Sequence, residues 1–244
     1  MRGEKTNMFK LDSPFMNFLN KLCDIMILNI MVLIFSIPIF TIGASVTAGY
    51  YISFKMVKNE ESYICKGFLK AFKENFKQAT ALWLIILAAC GVLYADYRII
   101  AYSGLAFDRW IKLGLVTVTL IIALGTSFVF AMQARFYNTV KHTLKNAFLM
   151  ALSHLPSALL FVVSYAVPLV LLYFFPQILP VIVLLAIGLM IYLKSFLFLR
   201  IFKKYEDALA PKEEEEFDIG SEDSGIFAGS ESMEQMSENK ASKK

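Results

Sequence analysis

Apolar residues dominate the chain in long, nearly continuous runs that are separated by short basic segments. Five runs of about span length begin near residues 25, 79, 111, 158 and 177. About 20 residues of α-helix cover the roughly 30 Å hydrocarbon core of a bilayer. Continuous apolar runs also lack the apolar–polar alternation of a transmembrane β-barrel. The pattern therefore predicts an all-α, helical integral membrane protein.

The first apolar run, residues 25–57, is too long for a single crossing. As one straight helix its 33 residues extend about 50 Å, well beyond the hydrocarbon core. Pro38 offers a break, because proline removes a backbone donor and clashes with the preceding turn. Residues 41–49 are rich in the small residues that let membrane helices approach closely. We predict a hairpin of two short helices, which crosses the membrane twice or forms a re-entrant element.

The positive charges select a topology for these segments. With six spans and both termini in the cytoplasm, seventeen Lys and Arg residues lie inside and three lie outside, as the positive-inside rule favours. In the alternative of five spans with the N-terminus outside, thirteen of these Lys and Arg residues lie inside and seven lie outside. We therefore predict a multi-pass protein of the cell membrane with cytoplasmic termini. The six predicted spans are residues 25–38, 41–57, 79–97, 111–134, 157–175 and 177–199.

Composition changes from one part of the chain to the next. The whole chain is 57% hydrophobic, against about 45–50% in soluble domains. Residues 1–24 form a predicted N-terminal amphipathic cytoplasmic segment, and residues 25–205 form the transmembrane domain. Residues 206–244 carry a net charge of −8 and few apolar residues, which predicts a disordered acidic tail. The remaining residues carry +12, which favours anionic lipid headgroups rather than nucleic acid as a contact.

Residues 64–78 have an amphipathic pattern of their own. At helical spacing, phenylalanines fall in one arc and lysines in the opposite arc. This arrangement is typical of a helix that lies in the membrane interface, with its rings in the acyl boundary and its lysines near phosphates. The predicted lipid contacts are Lys66, Phe68, Lys70, Phe72, Lys73, Phe76 and Lys77.

Few polar residues fall inside the predicted spans. Asn29 lies one turn inside the first span, and we expect its amide to bond with Thr41, Ser45 or Thr47 of the next helix. Lys194 is expected to extend its ammonium toward the cytoplasmic face. Three other ionisable residues, Asp24, Asp96 and Arg135, lie at predicted span ends, where headgroups and water reach them.

The chain shows no pattern of catalytic or metal-binding residues. Its three cysteines have no C-x-x-C spacing, and its two histidines have no partner at metal-ligand spacing. Phosphate loops, nucleophile elbows and paired carboxylates are not found either. We therefore predict a protein that is not an enzyme, with no catalytic residues, no metal site and no cofactor.

Several short motifs are distributed over residues 8–205. The most specific motif is residues 72–80, Phe-Lys-Glu-Asn-Phe-Lys-Gln-Ala-Thr. The others are Asp24 with Asn29, Pro38–Ala44, Tyr50-Tyr51, Arg135-Phe136, Asn146-Ala147 and His154-Leu155-Pro156. Together these motifs resemble the YesL family of bacterial integral membrane proteins.

The resemblance implies a low-GC Gram-positive origin and genetic neighbourhood with carbohydrate ABC-transport and two-component sensor genes. That family has no established activity, so its motif positions imply only structural or interaction roles. Those positions are Asp24, Asn29, Pro38, Thr41, Gly43, Asn75, Gln78 and Arg135.

Two functions suit these features. The first is a non-enzymatic accessory membrane protein that assists carbohydrate uptake or its sensing, with a carbohydrate ABC permease or a sensor kinase as partner. The second is a small transporter or channel, because the break at Pro38 and Gly43 resembles the interrupted helices that build substrate sites.

Overall fold

Eight α-helices make up most of the described chain. The computed structural model describes residues 14–60, 63–102, 108–136 and 138–209. Two 3-10 turns, Ile39–Thr41 and Pro176–Ile178, join helices. The helices are α1 (Pro14–Phe35), α2 (Ile42–Val57), α3 (Ile64–Tyr102), α4 (Arg109–Arg135), α5 (Val140–Ser153), α6 (Leu155–Ser164), α7 (Ala166–Phe174) and α8 (Leu179–Leu209).

Five segments are long and apolar enough to cross a membrane. They are α1, α3, α4, the consecutive pair α6 and α7, and α8. An all-α integral membrane fold is therefore confirmed. The remaining predicted span, residues 41–57, corresponds to α2. At 16 residues that helix extends about 24 Å, somewhat less than the hydrocarbon core.

Helices α1 and α2 form an antiparallel hairpin. The chain turns through Pro38, and the Thr41 hydroxyl donates to the carbonyls of Phe35 and Pro38, at 2.6 Å each. The bond to Phe35 satisfies an acceptor that the end of α1 leaves without a helical partner. Because α1 begins at Pro14, the predicted boundary between residues 24 and 25 falls inside a continuous helix.

Helix α3 is continuous over 39 residues, so the predicted boundary between residues 78 and 79 also falls inside a helix. Its first half packs antiparallel along α2. Gly67 lies against Ile52 near one end, and Ala79 lies against Gly43 near the other. Its second half pairs with α4, where the hydroxyls of Tyr97 and Thr119 are 3.1 Å apart.

This packing corrects one predicted lipid contact. Phe68 is fully buried, with its ring 5.5 Å from that of Phe35 and 6.3 Å from that of Phe72. The phenylalanine face of residues 64–78 therefore turns toward α1 and α2. The helix has the predicted amphipathic period, but protein helices cover its apolar face at Phe68. The lysines at 66, 70, 73 and 77 are exposed.

Aromatic rings form the centre of the bundle where α4, α6 and α8 meet. Phe198 of α8 packs edge-on against Phe128 of α4 at 5.0 Å and lies 4.4 Å from Phe161 of α6. One turn later, Phe202 packs against Phe136 at 5.2 Å. All of these rings except that of Phe136 are fully buried, and such ring pairs add about 0.5–1.5 kcal/mol beyond their area burial.

Residues 203–244 form a unit separate from residues 1–202. Within that unit the structure describes residues 203–209, which continue α8 as helix. Of the predicted acidic tail, residues 210–244 lie outside the described residues. So do residues 1–13 of the predicted N-terminal segment.

Candidate functional site

The small residues of α2 form its contact surface with neighbouring helices. A side-chain carbon at Gly43 would lie 2.5 Å from the Ala79 carbonyl oxygen and 2.6 Å from the Trp83 Cβ. One at Gly49 would lie 3.0 Å from a methyl group of Val32. Glycine is therefore required at Gly43, because the backbone of α3 occupies the space of a side chain.

Asn29 joins α1 to α8 rather than to α2. Its amide nitrogen donates to the Val183 carbonyl at 2.8 Å, and its oxygen accepts from the Gly188 backbone N–H at 2.8 Å. Gly188 permits this approach, since a Cβ there would lie 2.8 Å from the Asn29 Cβ. The predicted bonds from Asn29 to residues 41, 45 and 47 are therefore wrong.

The hydroxyls of Ser45 and Thr47 on α2 bond to nearby backbone instead. Ser45 donates to the Val32 carbonyl and Thr47 to the Gly43 carbonyl, both at 2.8 Å. Ser45 and Thr47 thus bond within the hairpin rather than to Asn29.

A cluster of amides ties together α3, α4 and α5. Gln133 is 3% exposed, and its Nε2 donates to Asn75 Oδ1 at 3.2 Å and to Gln78 Oε1 at 2.7 Å. Its Oε1 accepts from the Thr143 hydroxyl at 3.2 Å. Asn75 donates in turn to the Ala71 carbonyl at 3.0 Å. Two predicted positions, Asn75 and Gln78, therefore meet at Gln133, which the sequence reading missed.

A polar cavity of about 240 Å³ adjoins this cluster. It lies where the C-terminal ends of α2 and α4 approach α3, so it is at one end of the bundle. Arg135 is a third predicted position in this region. The lining of the cavity is mixed in charge and includes aromatic rings. The lining residues are Tyr51, Phe54, Lys55, Lys58, Glu60, Glu74, Asn75, Gln133, Ala134, Arg135 and Phe136.

The remaining predicted positions do not join this cluster. Pro38 and Thr41 lie in the turn between α1 and α2, where they hold the hairpin closed. Asp24 is half-buried on α1. Within the described ranges, no three His, Cys, Asp or Glu side chains are grouped so that they could hold a metal ion.

Lys194 is the most unusual charged residue of the bundle. It is 5% exposed, and its Nζ is buried without a hydrogen-bond partner in the described part of the chain. The ammonium lies 3.3 Å from the centroid of the Tyr165 ring. The expected extension toward the membrane surface is therefore wrong, because the side chain folds inward onto this ring.

The contact with Tyr165 offsets only part of the cost of burial. A desolvated cation–π contact contributes about 2 kcal/mol or more, whereas burying an ion costs several kcal/mol. Two other buried polar atoms of the described residues, Ser53 Oγ and Thr80 Oγ1, also have no partner. They are neutral hydroxyls, so Lys194 is the ionisable residue among these unpartnered groups.

Lys194 lines a second cavity of about 510 Å³. This volume falls within the roughly 300–1,000 Å³ of ligand pockets in proteins. The lining is largely aliphatic and aromatic, and polar atoms come from few side chains. The lining residues are Leu33, Ile42, Val46, Tyr50, Trp83, Phe130, Tyr165, Pro168, Ile182, Val183, Ala186, Ile187, Met190, Ile191 and Lys194.

Two comparisons returned no similar protein, and one returned a family. Residues 25–97 match the model of a family described as protein of unknown function, DUF624. The matched segment holds the part of α1 from Ile25, all of α2 and most of α3, so it includes the hairpin and its contact surface on α3. The match supports a membrane-protein family of unknown function. No curated protein and no solved structure matches the chain.

Proposed function

We propose that this chain is a non-enzymatic accessory protein of a bacterial cell membrane, with both termini in the cytoplasm, similar to the YesL family. In this proposal it assists carbohydrate uptake or its sensing by binding a carbohydrate ABC permease or a sensor kinase. The carbohydrate context rests on the resemblance of the sequence motifs. The partner-binding role rests on one surface of α3.

That surface is the lysine face of α3, formed by Lys66, Lys70, Lys73 and Lys77. All four side chains are exposed, and Lys70 is paired only loosely with Glu74, at 3.9 Å along the helix. An exposed pair of this kind contributes about 0.3–0.5 kcal/mol. The charges are therefore available to an acidic surface of another protein.

The opposite side of the same helix is held firmly in the bundle. Gly67 lies against Ile52, Phe68 is fully buried, and Ala79 lies against Gly43. Gln78 lies beside Gln133, and Gln133 is two residues before the end of α4. Because α3 and α4 are antiparallel, the part of α3 that precedes Gln78 extends beyond the end of α4. A rigid helix that presents four positive charges outward favours binding through complementary charge.

Co-purification from the native membrane tests this proposal. The full chain, carrying an affinity tag, is extracted in mild detergent, and the recovered proteins are identified by mass spectrometry. We expect stoichiometric recovery of a carbohydrate ABC permease or a sensor kinase. Replacing all four lysines of the face with glutamine should remove that partner, because the complementary charges are lost.

A matched control separates partner binding from folding. Replacing Arg98, Arg109 and Lys112 with glutamine changes charges near the opposite end of the bundle, and it should leave recovery of the partner intact. Equal loss in both variants, or a purified chain that never retains such a permease or kinase, would contradict the proposal.

A small transporter is the second candidate, and the 510 Å³ cavity favours it. Leu33 of α1, with Ile42 and Val46 of α2, line this cavity, so it adjoins the interruption between the two helices. Interrupted helices often build substrate sites in transporters. Uptake of a labelled sugar by liposomes that contain only this chain would favour transport, whereas uptake that requires the permease would favour the accessory role.

A further inference from the structure

The buried ammonium of Lys194 and the apolar cavity beside it define a ligand chemistry. Among the described residues that line the cavity, none is acidic, so these residues supply no counter-charge there. Nζ lies over the π face of Tyr165, 3.3 Å from the ring centroid. An intramembrane ionisable residue normally pairs with another group or marks a ligand pathway. Here the described protein provides no ion-pair partner.

The rest of the cavity suits a hydrocarbon chain. Aliphatic side chains from α1, α2 and α8 line it, and a bound alkyl chain would make dispersion contacts with them. Val183 and Ile187 line the cavity and are 51% and 39% exposed. The cavity is therefore reachable from the outer face of α8, which in an integral membrane fold faces lipid.

We propose that this cavity binds a single-chain anionic amphiphile. Its acidic headgroup would pair with the Lys194 ammonium, and its alkyl chain would occupy the apolar space toward Ile182 and Ile187. A small inorganic anion fits the charge but leaves the apolar lining unfilled. A neutral alkyl chain fits the lining but leaves the ammonium without a partner. The inference does not depend on partner binding by α3.

A headgroup series on the full-length chain tests the proposal. The purified protein in neutral detergent is titrated with palmitate, hexadecanol or hexadecyltrimethylammonium, which share one chain length and differ in charge. Binding is measured as the rise of the thermal unfolding midpoint, since a ligand of the folded state stabilises it. We expect palmitate to raise the midpoint and the other two to have little effect.

Substitutions locate the headgroup and the chain separately. Lys194→Met keeps side-chain length without the charge and should weaken palmitate about tenfold to hundredfold, the usual range for losing a charged hydrogen bond. Ala186→Phe fills the cavity with the lysine intact and should also weaken palmitate. Lys112→Met, at an exposed position on α4, is the matched control and should bind as the wild type does.

The source of the anion is settled by a second pair of ligands. Lysophosphatidylglycerol and lysophosphatidylcholine differ in net charge. Their effects are compared with that of palmitate, which carries a free carboxylate in place of a lipid headgroup. Stabilisation by lysophosphatidylglycerol alone would assign the site to anionic lipid, and stabilisation by palmitate alone would assign it to a free fatty acid.

Three results would overturn the proposal. One is stabilisation by hexadecanol equal to that by palmitate. Another is an equal loss of binding in Lys194→Met and Lys112→Met, which would indicate a general effect of charge. The third is undiminished binding in Ala186→Phe. If Lys194→Met does not fold, the headgroup series and Ala186→Phe decide the question on folded protein.

Discussion

Gly43 shows how one residue decides the packing of two helices. A Cβ at Gly43 would lie 2.5 Å from the carbonyl oxygen of Ala79 and 2.6 Å from the Trp83 Cβ. Neither atom is the flexible end of a side chain, so neither can move aside without shifting α3. The Trp83 indole also donates to the Ile39 carbonyl at 2.7 Å, which joins the same part of α3 to the turn of the hairpin.

We expect Gly43→Ala to destabilise the protein by about 1–3 kcal/mol, the usual cost of overpacking. The measurement is the thermal unfolding midpoint of the purified full chain in detergent. Gly91→Ala is the matched control, because a Cβ there meets nothing within 4 Å and alanine is the better helix former. A Gly43→Ala protein as stable as Gly91→Ala would show that α2 and α3 are not this close.

Gln133 is the second residue on which several helices depend. It offers two donors and an acceptor, and each meets a partner on α3 or α5. Because the side chain is buried, water cannot readily replace these bonds.

For Gln133→Leu we expect a loss of about 1–3 kcal/mol, the cost of leaving buried polar groups without partners. Gln78→Leu should cost less than about 1 kcal/mol, since Gln78 is exposed and Gln133 still donates to Asn75. The two unfolding midpoints, compared directly, check this order. The reverse order would mean that the cluster does not centre on Gln133.

At this scale the sequence shows which residues are unusual but not their partners. Asn29 was singled out because an amide inside an apolar run must be satisfied, yet its partners lie on α8, more than 150 positions further along the chain. Gln133 carries no such signal, because it falls near the end of a long apolar run. For Lys194 the sequence favours a side chain that extends to the surface, because the position of Tyr165 relative to its ammonium is a tertiary feature.

Helix α3 shows what periodicity predicts at the scale of an element. The separation of lysines from phenylalanines at residues 64–78 identified an apolar face correctly. Periodicity does not show whether lipid or protein covers such a face, because both are apolar. The small residues of α2 are the sequence signal that protein covers this face, since they let α3 approach closely enough for Phe68 to be buried.

A pair of neighbouring substitutions tests the burial of this face. We expect Phe68→Ala to lower the stability of the full chain by about 3–5 kcal/mol, as for other buried phenylalanines. Leu69→Ala, at the next residue with 37% exposure, should cost clearly less. Similar unfolding midpoints for the two variants would indicate instead that the apolar face of the helix lies in the membrane interface.

At the scale of the whole molecule, the contacts show which positively charged residues lie at the same end of the helix bundle. Lys21 donates to the Met56 carbonyl at 2.7 Å and to Asn59 at 2.9 Å, so α1 begins at the end where α2 finishes. Lys55, Lys58 and Arg135 line the polar cavity at that same end.

Arg109 and Lys112 lie at the start of α4, and therefore at the other end of the bundle from Arg135. The hairpin also keeps the start of α1 and the end of α2 on one side of the membrane, whether α2 crosses fully or re-enters. The positive-inside rule then predicts that the end with Lys55, Lys58 and Arg135 faces the cytoplasm. The proposed role of the α3 lysines depends on that orientation.

Cysteine labelling of intact cells tests this orientation most directly. The three native cysteines, all exposed, are first replaced, and single cysteines are then introduced at Tyr102 and at Asn59. A thiol reagent that does not cross the membrane should label the protein at Tyr102 in intact cells and at Asn59 only after the cells are opened. Labelling at Asn59 in intact cells would contradict the cytoplasmic position of the basic end and the partner binding proposed for it.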